Sequence, residues 1–537
     1  MANFVYALSF EKRGNLRLAI GEQSKGTQLL TLRQKAAVLS ASILGSSMAF
    51  VNGTAVTLAL DPIQLGLSAS LGQILWVASI YMLFISALML IGGAIGDFYG
   101  RRATFMTGVA IFTSASALCA VSISAEMLIF ARALQGVGAA LLTPMSLALL
   151  SEHFEAKDRT LAIGIWSVAS AIFTAIGPPV GGWLTEFASW RGIFLLPIPF
   201  GGLCLIISGF LVPKRPPHRV PDGIDWEGAL LAMIGFAGIA YGFITLSEPK
   251  MSENSLQWSL PMAVGVIALM GLVIVERNAK SPMAPPALFA IGTFNAINII
   301  TILLYGAMGG IFVFYPIFLT DVYGHGMTEI GLAFLGFAIP MVVLTPLSGR
   351  LSKRFGVRGM LSVGSLVGIV AFGSMGLAPY AGELWGVFFS ISIFGAGIAL
   401  VVPGMNAALF RITPDESHGV ASGINNTCAR AATLFAIAGY GAAASAGFHD
   451  VANPTVALAG YGAGDSLIGA DAENYREAMS ASFEVLSWIS MALAFFSFIV
   501  AAFFIDAIPE NSQTPKRSSP QSRTGVRRIF GASVDDE

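Results

Sequence analysis

The chain has 537 residues, 55% of them hydrophobic and only 11% charged, with a mean hydropathy of +0.74 and a formal net charge of −1. A soluble globular domain carries roughly a quarter charged residues, so that class is excluded, and apolar runs long enough to cross a ~30 Å hydrocarbon layer as helices recur along the chain. Its three cysteines, Cys119, Cys204 and Cys428, all sit inside apolar runs and its five histidines are scattered, which excludes a disulfide framework and a metal cluster.

In chain order, the stretch to about Lys35 reads as a basic tail. Fourteen spans are then predicted, at 36–60, 73–95, 103–122, 126–149, 160–183, 192–212, 227–247, 259–276, 294–319, 329–348, 359–379, 384–405, 418–446 and 485–506. The first is too long and too late for a cleavable signal peptide. A polar outer loop is expected over 447–484, and a disordered Ser-, Pro- and Arg-rich tail after Pro509.

Placing both termini in the cytoplasm leaves all but five of the 30 Lys and Arg on that side. Arg191, Lys250 and Arg476 fall outside, while Arg132 and Arg430 lie within spans. That asymmetry is what the positive-inside rule demands, and one miscounted span would destroy it. Trp76, Trp183, Trp190, Trp258, Trp385 and Trp488 then fall near the outer interface.

Between spans 2 and 3 the chain reads GGAIGDFYGRRAT, from Gly92 to Thr104. A degenerate copy, GRLSKRFGVRGML from Gly349, lies between spans 10 and 11 and aligns Gly93 with Gly349, Gly100 with Gly356 and Arg102 with Arg358. Lys353 stands where the first copy has Asp97. A repeat so spaced implies two six-span halves with two extra spans between them, and transporter folds built from repeats place their substrate site where the halves meet.

On these residues the chain resembles the major facilitator superfamily, in particular its 14-span drug:proton antiporters of the EmrB/QacA type. GAIGDFYGRR is similar to that superfamily's loop motif, RALQGVGAA from Arg132 to its buried-arginine motif, and GPPVGGWL from Gly177 to its antiporter Gly-Pro motif. SWRGIFLLPIPFG from Ser189 and IDWEGALL from Ile224 are similar to the family's entries to spans 6 and 7. The resemblance covers about 36–506 and implies an all-α polytopic membrane protein of major facilitator fold. Its expected parts are an N-terminal tail (1–35), an N-terminal six-helix half (36–212), a linker with two extra transmembrane helices (213–293), a C-terminal half (294–506) and a C-terminal tail (507–537).

The resemblance further implies a gating motif of Gly93, Asp97, Gly100, Arg101 and Arg102, with Asp97 latching onto the start of span 13 near Ser417 to Ser422. An anion there would meet exposed helix N–H groups and the positive end of a dipole; an ordinary positive-inside hairpin is the bland alternative. Arg132, about seven residues into span 4, is implied in coupling or substrate binding with Gln135 one turn on. An arginine there needs a cavity, a partner or carbonyls, unless it snorkels outward. Arg430 in span 13 is deeper, and Asn425 and Asn426 suit cavity or helix–helix hydrogen bonds equally. In span 5, Pro178 and Pro179 remove backbone donors while Gly177, Gly181 and Gly182 permit close packing, as a hinge between halves requires.

The chain departs from the family in span 1, where VNGTAVTLALDP places Asn52 at the usual membrane acid and Thr57 at the usual asparagine. An amide cannot carry a proton. Asp61, Glu186 and Asp321 at the outer ends and Asp97 at an inner end are no midplane relay. A relocated proton site, coupling through substrate charge, and facilitated diffusion all remain open.

The function expected is a secondary active exporter of small amphiphilic drugs or metabolites, coupled to protons, in the inner (plasma) membrane. A dedicated metabolite or anion transporter, or an uncoupled uniporter, is the alternative. An enzyme is not expected, since the loops hold no catalytic constellation and no phosphate-cradling loop. No cofactor, metal or nucleic-acid partner is expected, and any periplasmic partner stays unidentified. With no interior acid in the first half, neutral or anionic amphiphiles suit the chain better than cations.

Overall fold

The structure is a computed structural model. It describes residues 31–216, 225–248, 254–279, 282–377, 383–414, 417–459, 461 and 467–505. The two tails expected to be basic or disordered lie largely outside these residues.

Among the described residues, fourteen helices are long and apolar enough to cross a membrane. They run Leu32–Leu58, Leu71–Tyr99, Arg101–Ala120, Ala125–His153, Leu161–Phe187, Arg191–Phe210, Trp226–Leu246, Ser255–Asn278, Gly292–Tyr323, Met327–Ser348, Arg354–Gly376, Leu384–Ile412, His418–His449 and Ala470–Phe504, and are numbered spans 1 to 14. Several start where a short polar side chain replaces the missing intrahelical acceptors of the first turn. Thr31 and Ser70 each form a capping box, with Gln34 and Gln73 respectively, and Ser124 accepts from the Met127 N–H.

Two expectations are corrected. Span 1 begins at Leu32, inside the expected tail, because the Thr31 cap rather than hydropathy sets its start. Span 14 begins at Ala470 instead of 485, so the loop expected over 447–484 is shorter. Its first turns carry Asp471, Glu473 and Glu477, which a hydropathy window rejects although the backbone is helical.

Within each half the helices interlock through small residues, as bundles in lipid do. Spans 7 and 8 pack on each other, and span 7 also lies against spans 2 and 13. Trp76 meets Tyr241 at 6.2 Å and Phe236 meets Phe435 at 5.6 Å between ring centroids. Glu248, just after span 7, caps span 2 by accepting the Gly72 N–H at 2.8 Å. The intervening pair therefore covers the seam between spans 2 and 13. On the opposite seam, span 5 packs against span 10.

Candidate functional site

Arg132 is 2% exposed, and its guanidinium is held by acceptors inside the bundle rather than drawn outward. Nε donates to the Val77 carbonyl at 3.1 Å; Nη1 donates to Asn52 Oδ1 at 2.7 Å and to Gln135 Oε1 at 3.0 Å. Gln135 Nε2 in turn donates to Ser116 Oγ at 2.7 Å. A single cation thus ties spans 1, 2 and 4 together, and through Gln135 reaches span 3. Every one of these acceptors is neutral. The remaining face of the guanidinium lies 4.6 Å from the centroid of the Tyr81 ring, the cation–π arrangement that compensates a desolvated arginine.

Asn52 accepts from Arg132 as an ionised acid would, yet it has no proton to exchange. Its Nδ2 has no partner among the described residues, and neither does Ser47 Oγ. Both residues line a cavity of about 20 Å³ with Met48, Val51 and Phe173, room for roughly one water beside the Arg132 pair. Thr57 donates back to the Thr54 carbonyl at 2.7 Å, a bond within its own span.

Arg430 comes from the other half. It is half-buried on span 13, and its charge acts on both Tyr81 of span 2 and Tyr305 of span 9. One turn and more below it, the two asparagines part company. Asn425 Nδ2 donates to Asn298 Oδ1 at 3.1 Å and Thr301 Oγ1 at 2.8 Å, binding span 13 to span 9. Asn426 is exposed and bonds only its own helix, through the Ser422 carbonyl at 3.0 Å.

At the arginine-rich turn, Gly100 has φ +101° and its counterpart Gly356 has φ +69°. Both turns therefore need a backbone conformation that side chains other than glycine resist. Arg102 closes the end of span 6, with Nε on the Ser208 carbonyl at 2.8 Å and Nη2 on that of Gly209 at 2.6 Å, where a cation also meets the negative end of the helix dipole. Arg358, its partner in the repeat, is exposed. Asp97 accepts from Arg101 Nε at 2.9 Å; among the described residues it accepts no hydrogen bond from span 13. Gly93 has open space around it.

In span 5 the helix continues through Pro178 and Pro179. Pro178 leaves the Thr174 carbonyl without its intrahelical donor, and the Thr54 hydroxyl of span 1 stands 3.2 Å from that oxygen. Gly177 and Gly181 pack on Thr54 and Ala55, whereas Gly182 meets the Met327 carbonyl of the other half. Four residues on, Glu186 accepts the Thr328 N–H at 2.8 Å, so the end of span 5 is fastened to the start of span 10. Asp321, at the same end of the bundle, accepts from the Tyr475 hydroxyl at 2.6 Å.

Tyr81, Ser116, Thr54 and the Glu186–Thr328 contact carry no local signal of spacing or motif. Each acquires its place from a partner at least 19 residues away in sequence.

Comparison with known proteins gives a consistent family. The model of the Major Facilitator Superfamily matches residues 42–437 and 297–534. The chain is 30% identical to the methylenomycin A resistance protein of Bacillus subtilis (strain 168), over 75% of its own length and 86% of that protein's. It is also 30% identical to the tetracenomycin C resistance and export protein of Streptomyces glaucescens, over 72% of each chain. Among solved structures, a bacterial homologue of the human lysosomal transporter Spinster superposes with a TM-score of 0.64 at 18% identity, covering 89% of this chain and 98% of that one.

Proposed function

The chain belongs to the Major Facilitator Superfamily, a family of secondary transporters, and on that premise we propose that it exports small amphiphilic drugs or metabolites by alternating access, coupled to protons. The observation that carries the reading is the Arg132–Asn52–Gln135 cluster beside Tyr81. A cation so deep in an apolar bundle costs a few kcal/mol by insertion scales. It is sustained by contacts from spans 1, 2 and 4 of the first half, which hold the charge in place as that half moves against the other. The relatives named for resistance and export support the outward direction. Both termini lie in the cytoplasm of a plasma (inner) membrane, as the distribution of Lys and Arg favours. Asp97 and Arg101 gate the cytoplasmic side, the glycines and prolines of span 5 form the hinge, and Arg132, Gln135, Asn52 and Arg430 line the transport route.

Reconstitution of the full chain in liposomes with a pH-sensitive dye tests this. Amphiphile flux accompanied by proton counter-movement is the expected result; absence of flux for anionic, neutral and cationic amphiphiles alike would overturn it. The Asn52 amide favours a second reading, uniport, which predicts flux with no proton movement.

A further inference from the structure

We propose that Arg430 is the anchoring cation of an anion-binding site between the two halves, and that the amphiphiles carried are organic acids. This rests on the export reading above and names its substrate class.

The two interior arginines differ in how their charge is met. Arg132 is enclosed, with Nε and Nη1 donating to three neutral acceptors and one face lying on the Tyr81 ring. Arg430 is only half-buried, and among the described residues it forms no hydrogen bond or salt bridge. Its electrostatic neighbours are two phenols, Tyr81 and Tyr305. In the helices of the two halves, Asp and Glu stand near helix ends, as Asp61, Asp97, Glu126, Glu186 and Asp321 do, or in the polar first turns of span 14. Among the described residues, therefore, two interior cations stand with no acid placed to neutralise them. In a medium of low dielectric that imbalance favours an anionic guest and disfavours a cationic one.

The position of Arg430 suits a substrate. Gly423 and Gly441 pack on Leu90 and Leu75 of span 2. Arg430 lies seven and eleven residues from them, close to whole numbers of helical turns, and so faces the same seam. A guest there touches both halves: its acid group meets the planar guanidinium fork, which matches a carboxylate or sulfonate with two parallel hydrogen bonds, and its apolar body lies along the seam of spans 2 and 13.

Two probes with one fluorophore and opposite charge provide the test. Binding of dansylglycine (an anion) and dansylcadaverine (a cation) to the purified full chain is read by energy transfer from the protein's tryptophans. The expected result is tighter binding of dansylglycine to the unmodified chain, weakened at least about tenfold by Arg430→Gln and only partly restored by Arg430→Lys, which keeps the charge but not the fork. Equal or tighter binding of dansylcadaverine to the unmodified chain would overturn the proposal without recourse to any variant. So would an Arg430→Gln chain of unchanged melting temperature that keeps its affinity for dansylglycine. Flux of the same probes in liposomes judges the export reading separately. Arg430-dependent binding of dansylglycine without flux of either probe keeps the site and overturns export; flux of dansylcadaverine alone keeps export and overturns the site.

Discussion

The Arg132 guanidinium lies 4.6 Å from the centre of the Tyr81 ring, and the charge of Arg430, contributed by the other half, acts on that same tyrosine. Tyr81 thus stands within the field of both interior cations, one from each half. Its ring is 1% exposed and its hydroxyl donates to the Ala49 carbonyl at 3.4 Å. Any motion that separates spans 2 and 13 changes the electrostatic balance around it.

Arg132→Gln should lower transport at least tenfold and destabilise the fold by about 2–4 kcal/mol, because Asn52 Oδ1, Gln135 Oε1 and the Val77 carbonyl lose their donor together. Arg132→Lys should recover little, since an ammonium cannot address acceptors on three helices from one plane. Liposome flux measures the loss of transport and thermal unfolding in detergent the loss of stability.

Gly100→Ala and Gly356→Ala should each cost about 1–2 kcal/mol, the penalty of a Cβ at positive φ. Gly93→Ala, in a regular helix with open space around it, should be neutral or slightly stabilising. Equal melting temperatures for all three variants would show that the turns do not require glycine.

Asp97→Asn removes an i,i+4 ion pair whose carboxylate side chain is 39% exposed, so the melting temperature should barely change: such pairs contribute at most about 1 kcal/mol. Transport should nevertheless fall severalfold if Asp97 latches the cytoplasmic side. Full transport by this variant would reduce the motif to a positive-inside hairpin.

Glu186→Gln weakens the fastening of span 5 to the Thr328 N–H. A Thr328→Cys reporter in a Cys428→Ser background should then react several times faster with a membrane-impermeant maleimide than it does with Glu186 intact. An unchanged labelling rate would mean that Glu186 does not hold the two halves together at that end.

Hydropathy and charge were enough to place all fourteen helices, because an apolar run bounded by polar residues has one stable state in lipid. The repeat of GAIGDFYGRR was legible for a related reason. Gly100 and Gly356 align because both turns demand positive φ, a requirement written into single residues. Span 14 escaped the same reasoning over its first turns, where helicity comes from backbone hydrogen bonding rather than from apolarity.

By itself the sequence determined the solvent, the number of spans, the two-half plan and the interior position of Arg132, since each follows from local composition and spacing. Only the tertiary structure decided what Arg132 does with its donors. Asn52, Val77 and Gln135 are separated along the chain, yet they converge on one guanidinium, while Arg430 has no hydrogen-bond partner among the described residues. The two arginines look alike in one dimension because the acceptors that distinguish them arrive from other helices, and helix packing alone selects which acceptors those are.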